Sequence, residues 1–389
     1  MLLAVFVSCG SAQTRETCDA KQVFTKTDSL LKLKHVEEAE ATLHQLQECQ
    51  HLTDLEKFNL GWFYGRARDF KTALTILGTV PVSVPDPATH QYAVALGQFE
   101  LADYKSAVAT LKGLQSQGLL DAKSANLLGV SYSKLGLYQD AYPILAEELR
   151  QNPQDLLAYL NLVALLADSA DFVRAADVAN QATVAFPQDS EVFVVLGAAD
   201  TLLGKLEKAH ADFEKAVALS PLLAEPRFFA ALTDYKQGKF TDAAAELRTA
   251  IGSGIRDSDL HYLLAECILK IDVSNTKDSL VELNQAIELN PQSVSARTLR
   301  GRLLLETHHP QEAILDLELA HKADPASHSA AYILARAYAA AGRKEDAKTL
   351  FASLSTDFHR DLEDQHNMEI MEALSKERLQ RALSGNPSQ

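Results

Sequence analysis

Alanine returns every 34 residues along this chain. It stands at Ala39, Ala73, Ala107, Ala141, Ala175, Ala209 and Ala243, and after a gap of 70 at Ala313 and Ala347. Proline keeps the same interval at Pro85, Pro153, Pro187 and Pro221, then at Pro291 and Pro325. A small residue precedes seven of these nine alanines in step: Gly61, Ala95, Gly129, Gly197, Ala231, Gly301, Ala335. A fixed period of this length marks a repeat array, in which each unit buries its apolar face against the next. That arrangement lets 389 residues fold without one oversized core.

The unit is clearest at Ser190 to Leu223, SEVFVVLGAADTLLGKLEKAHADFEKAVALSPLL. Phe193, Leu196, Gly197 and Asp200 share one face of a helix, at i, i+3, i+4 and i+7. Gly204 ends that helix. Ala209, Phe213 and Ala216 repeat at i, i+4 and i+7 on a second one. Pro221 stops it, because proline lacks an N–H and disfavours helical geometry at Ser220. Gly197 and Ala209 are small, so the two helices are expected to cross closely there. The gap of 70 equals two periods plus two residues, which places a two-residue insertion in the turn around Asp272 to Ser279.

The residues Leu128, Gly129, Tyr132, Gly136, Tyr138, Ala141, Leu145 and Pro153 resemble the tetratricopeptide repeat pattern. So do Leu196, Gly197, Gly204, Ala209, Phe213, Ala216 and Pro221. The resemblance implies an all-α, right-handed α-solenoid of about ten helix-turn-helix repeats, spanning residues 13–361 and starting near 20, 54, 88, 122, 156, 190, 224, 258, 294 and 328. A capping helix and a loose tail are expected over 362–389, where Leu362, Met368, Met371, Leu374, Leu379 and Leu383 give a partial apolar stripe.

Residues 1–12 read as the end of a secretory signal: an apolar run, then Gly10, Ser11 and Ala12. Export to a periplasmic or extracellular compartment is the expectation. Acylation at Cys9 and a retained cytoplasmic N-terminus are the alternatives. Cys18 and Cys49 fall at the two ends of the first hairpin that lie side by side. A disulfide between them would suit an oxidising compartment and contribute about 3–4 kcal/mol in the chain-entropy picture; two free thiols are the alternative. No stretch of 18 apolar residues occurs, so no spanning helix is expected.

No catalytic constellation emerges: the chain lacks a Gly-rich phosphate loop, a His-Glu-x-x-His and a Cys-x-x-Cys. Catalytic residues, cofactor and metal are therefore all expected to be absent. His308 and His309 read as a solvated turn. With 52 acidic against 37 basic residues and a net charge of −15, the surface does not suit a nucleic-acid backbone.

The resemblance implies that the first helix of each repeat lines a concave groove. The lining offsets select Phe58, Trp62, Tyr92, Phe99, Asn126, Phe228, Tyr235, Tyr262, Arg302, Tyr332 and Arg336. Aromatics give large contact area at small entropic cost, and stacked arginines suit a carboxylate. No lysine stands at the fifth offset, so the resemblance does not extend to the sub-type that clamps a chaperone's C-terminal carboxylate. The expected function is a non-catalytic scaffold, monomeric or weakly oligomeric, that holds a protein or peptide partner as an extended segment or helix, in envelope or secretion-machinery assembly. The alternative is a regulatory or targeting subunit whose catalytic domain is on another chain.

Overall fold

The computed structural model describes residues 19–354, except 48 and 50. The signal reading of residues 1–12, Cys18 and the capping helix at 362–389 lie outside the described residues. Among those described, every regular element is a helix. The first pairs are α1 (Ala20–Lys32) with α2 (Val36–Gln47), α3 (Asp54–Arg66) with α4 (Phe70–Leu77), and α5 (Pro87–Glu100) with α6 (Tyr104–Ser116). Next come α7 (Ala122–Lys134) with α8 (Tyr138–Gln151), α9 (Leu156–Asp168) with α10 (Phe172–Ala185), and α11 (Ser190–Leu202) with α12 (Leu206–Leu219). The remaining pairs are α13 (Ala224–Lys236) with α14 (Phe240–Gly252), α15 (Ser258–Ile271) with α16 (Thr276–Leu289), α17 (Val294–Glu306) with α18 (Pro310–Ala323), and α19 (His328–Ala340) with α20 (Lys344–Ser353). The chain clusters into two compact units, divided between Glu148 and Leu149. Within each unit, second helices pack on the first helix of the next pair, as α2 does on α3 and α12 on α13. First helices also pack on one another, α1 on α3, α3 on α5, α15 on α17.

Backbone hydrogen bonding explains where the helices stop. At the α11–α12 turn, Gly204 takes φ 72°. Its N–H donates to Thr201 O, and Lys205 N–H donates to Asp200 O at 2.9 Å. These two bonds satisfy carbonyls that the helix end would leave bare. The same left-handed residue recurs at Lys34, Arg68, Ala102, Gly136, Ala170, Gly238, His308 and Gly342. The α15–α16 turn departs from it. There α15 ends at Ile271 and Asp272 is extended, with φ −148°. The helix and the turn are each one residue longer than in the neighbouring pair α13–α14, which accounts for the two extra residues. Pro153, Pro187, Pro221, Pro291 and Pro325 each fall two residues past the end of a second helix.

The second pair differs from the sequence expectation. The proline series implied a stop near Pro85, yet α4 ends at Leu77. Gly78, the β-branched Thr79 and Val80, and then Pro81 disfavour helix in succession, and a linker of turns and bends runs to Asp86, the cap of α5. Val80 and Val84 from this linker pack against Phe58, Leu77 and Ala93. Part of the acidic surplus is also structural. Asp69, Asp86, Asp103, Asp121, Asp155, Asp171 and Asp189 each cap a helix, accepting from a backbone N–H of its first turn. Cys49 is disulfide-bonded. Its pairing with Cys18 remains a proposal.

Each hairpin closes by trading volume. A Cβ on Gly197 would sit 2.8 Å from the Phe213 ring; on Gly129, 2.5 Å from Leu145; on Gly301, 2.6 Å from Leu317. The small residue therefore admits a bulky side chain from 16 positions onward. The close approach expected opposite Ala209 is filled by Phe213. In the α9–α10 pair the sizes are exchanged: Val163 and Ala179 occupy the equivalent positions, and both are fully buried. In the second unit, α17 is braced by the buried Asp316, which accepts from Arg297 Nη1 at 2.7 Å and from Arg300 Nε at 2.6 Å.

The turns and the packing each generate a stability prediction. An L-residue in left-handed geometry costs about 1–2 kcal/mol, partly offset by the extra unfolded-state entropy of glycine. Ala170→Gly should therefore raise stability by up to about 1 kcal/mol, whereas Asp272→Gly should lower it; urea denaturation midpoints separate the two. Gly129→Ala forces its methyl onto Leu145 and should destabilise by about 1–3 kcal/mol. Combining it with Leu145→Ala in a double-mutant cycle should give a total loss smaller than the sum of the two single losses.

Candidate interaction surface

In the first unit the layer of first helices carries a connected aromatic group. Trp62 on α3 and Tyr92 on α5 have ring centroids 6.5 Å apart at an interplanar angle of 41°, and both are half-buried. Phe58 lies beneath them, 5% exposed, with its ring 6.0 Å from that of His90. Burial pushes the Tyr92 hydroxyl above its usual range, aided by the charge of Asp121. Phe99, also half-buried, meets Tyr104 edge-on at 5.2 Å. Half-buried rings of this kind are held in place by the core and still offer surface to a partner.

A second aromatic pair joins Phe24 on α1, a fifth-offset residue, to Phe63 on α3, which the lining offsets passed over. Phe24 and Phe63 stack at 5.2 Å and 8°. The Arg66 guanidinium lies over the Phe63 ring at 5.2 Å and also bonds Asp28 at 2.7 Å. Phe63 lies one position beyond Trp62, off the lining offsets. The signal available in the sequence was its alternation with Trp62, one ring turned along the layer and the other toward α1.

Several residues expected to line the groove are instead core. Phe228 and Tyr262 are fully buried, and Phe58 and Asn126 are 5% and 3% exposed. For Phe228 and Tyr262 the cause is the packing of α13 and α15, whose residues Pro226–Asp234 and Ser258–Ile268 are almost all buried. Each of these helices is flanked by its own partner, by the preceding second helix and by the other, α13 against α15. A ring at the fifth offset then meets protein. Phe228 packs edge-on against Phe229 at 5.6 Å. Tyr262 Oη donates to Glu266 Oε1 at 3.4 Å. Burial raises the pKa of the Glu266 carboxyl, and the charges of Arg302 and Lys270 oppose that shift. Tyr235 stays half-buried, 5.2 Å from Phe240; burial, with Glu266 nearby, raises its pKa.

The arginine pair does not stand clear of the protein's own side chains. Arg302 Nε lies 3.9 Å from Glu306 Oε1. Arg336 sits over Tyr332 at 5.9 Å, and Tyr332 packs on Phe351 at 5.8 Å. The structure thus brings together Trp62 with Tyr92 and Phe58, Tyr332 with Arg336, and Tyr235 and Tyr262 with Arg302 around the buried Glu266. It places Phe99, Asn126 and Phe228 in other packing environments. His308 is the left-handed residue of an exposed turn, and His309 stands just before α18 without a side-chain capping bond. Among the described residues, no three His, Cys, Asp or Glu side chains are grouped so as to hold a metal ion, and no helix is long and apolar enough to cross a membrane.

The comparisons with known proteins agree with this architecture. Family models described as tetratricopeptide repeat match residues 126–190, 228–293 and 304–369. The crystal structure of a tetratricopeptide repeat protein from Parabacteroides merdae is 16% identical, covers 64% of this chain and 98% of its own, and superposes with a TM-score of 0.50. Yeast Tom70 is 18% identical over 95% of this chain and 97% of its own, with a TM-score of 0.43. A thermophilic tetratricopeptide repeat protein from Thermus thermophilus is 22% identical over 48% of this chain and all of its own, with a TM-score of 0.38. No curated protein matches the sequence.

Away from the aromatic face, two carboxyls on second helices are pushed upward. Glu246 on α14 rises to about 8, first through burial and then through the neighbouring Glu214 carboxyl. Asp212 on α12 rises to about 6, through burial and then Asp200, with Lys208 opposing. A carboxyl whose folded pKa lies above its unfolded value binds its proton more tightly in the folded state. The native chain then holds more protons than the unfolded one between about pH 4 and 8, so stability falls as pH rises through that window. Glu246→Gln should flatten this decline, measured as denaturation midpoints from pH 5 to pH 8. An unchanged slope would refute the assignment to Glu246.

Proposed function

The chain belongs to the tetratricopeptide repeat family, whose members serve generally as protein–protein interaction scaffolds, and from that premise we propose that it is a non-catalytic scaffold that captures an extended peptide or a partner helix on its layer of first helices. The observation that carries the reading is the Trp62–Tyr92 pair, half-buried and bridging α3 and α5. Rings so placed make good anchors, because the core has already fixed their rotamers and little entropy remains to be lost on binding. The focus therefore moves to the first unit and away from Phe228 and Tyr262.

The compartment proposed is an exported one, in which the scaffold assists assembly of envelope or secretion machinery. The apolar N-terminal run with its small residues supports this, and so does the bonded state of Cys49, since disulfides persist in oxidising surroundings. The pairing proposed is Cys18 with Cys49. It would tie the start of α1 to the end of α2 and so clamp the first hairpin.

Replacing Trp62 and Tyr92 together by alanine should reduce partner capture by roughly thirtyfold or more, the loss of about 2 kcal/mol that defines an interface anchor. Far-ultraviolet circular dichroism should stay unchanged. Quantitative affinity capture with mass spectrometry, comparing the variant with the native chain, makes the measurement; equal recovery of every partner would remove the assignment. Sequencing of the mature N-terminus tests export, with a start at Gln13 as the expected result.

A further inference from the structure

Residues i, i+7 and i+11 share one face of a helix, because each step turns the chain by about 100°. The first unit carries four such stripes in register, beginning at Lys21, Leu55, Thr89 and Lys123 on α1, α3, α5 and α7. Every residue of the four stripes reaches solvent. α1 packs on α3, α3 on α5 and α5 on α7, so the stripes form one continuous face with Trp62 near its centre.

The charge on this face is opposite to that of the chain. It holds Lys21, Lys32, Arg66, Lys123 and Lys134 against Asp28 and Glu100, in a protein of net charge −15. Asp28 is already engaged by Lys32 at 2.7 Å and by Arg66 at 2.7 Å. Helix electrostatics account for only part of the excess. Lys32, Arg66 and Lys134 stand in last turns, where a cation favours the helix dipole. Lys21 and Lys123 stand second in their helices, where a cation opposes it. The capping Asp19 and Asp121 offset that cost but do not supply a reason for the lysines.

We propose that this face of the first unit binds an extended acidic segment of a partner protein, its carboxylates meeting Lys21 at one side and Lys123 and Lys134 at the other, with an apolar residue between them resting on Trp62 and Tyr92. The inference rests on the scaffold reading above and adds the chemistry of the partner. Four helices at spacings of 8–10 Å span about 24–30 Å, which an extended strand crosses in about seven to nine residues. Lys123 and Lys134 lie about 16 Å apart along α7, so they receive separate carboxylates. Exposed lysines of this kind steer an anionic segment over long range, with strong salt dependence.

Trp62 is the only tryptophan in the chain, so its emission reports on this face directly. The test uses the full chain and three labelled ten-residue peptides with a central Phe-Leu pair: one flanked by Glu and Asp, one by Gln and Asn, one by Lys. The acidic peptide should shift Trp62 emission, bind at least tenfold more tightly than its amide counterpart at low salt, and weaken steadily as salt is added. The double charge reversal Lys123→Glu/Lys134→Glu should reduce acidic-peptide affinity at least tenfold, with circular dichroism unchanged. Equal binding of the three peptides, with Trp62 responding, would overturn the acidic assignment and leave the scaffold surface standing. No response of Trp62 to any peptide would overturn both. Light scattering that shows a stable dimer, dissociated by the same reversal, would overturn the proposal by identifying the occupant as a second copy of the chain.

Discussion

Two helices can lie against each other in a hairpin only where one gives up volume and the other fills it. In this chain that exchange joins a small residue on the first helix to a large one 16 positions later: Gly197 to Phe213, Gly129 to Leu145, Gly301 to Leu317. The remaining architecture depends on this contact. It fixes how deeply the second helix seats on the first, and so which sides of the hairpin are left for neighbours. Because each hairpin packs mainly on the next, the same solution works wherever it is repeated. Val163 and Ala179 show that the requirement is the summed volume, since exchanging large for small keeps the site buried.

The turns impose the second constraint. A left-handed residue between two carbonyl-satisfying bonds reverses the chain in three residues. Glycine supplies it at Gly136, Gly204, Gly238 and Gly342. Elsewhere Lys34, Arg68, Ala102, Ala170 and His308 tolerate the same geometry, which shows that hairpin packing outweighs a local backbone cost of about 1–2 kcal/mol. The aspartates at helix starts work in the same way, turning negative charge into helix-capping bonds. The acidity of the chain therefore describes its helix starts as much as its partners, and a face that is cationic stands out against it.

The hairpin rhythm was readable because its causes are local. The alanines, the Gly204 stop and the prolines act within one or two turns of helix, or across a pair 16 residues apart. The shortening of α4 was not read from Pro85, because the decisive residues are Gly78 to Pro81, which break the helix before the expected stop. Trp62 and Tyr92 were found by offset and do lie half-buried on the first-helix layer. Phe228 and Tyr262 were found by the same offset and are buried completely. Phe63 was missed, since its role depends on Phe24 in the preceding hairpin.

The sequence by itself determined that this protein is a tetratricopeptide repeat array, because period, turn chemistry and helix stops are written in neighbouring residues and repeated along the chain. Only the tertiary structure decided which aromatic rings remain at the surface and which arginines are answered by the protein's own side chains. The physical reason is that exposure belongs to no residue alone: it depends on how closely three flanking helices approach, and those helices are encoded elsewhere in the chain.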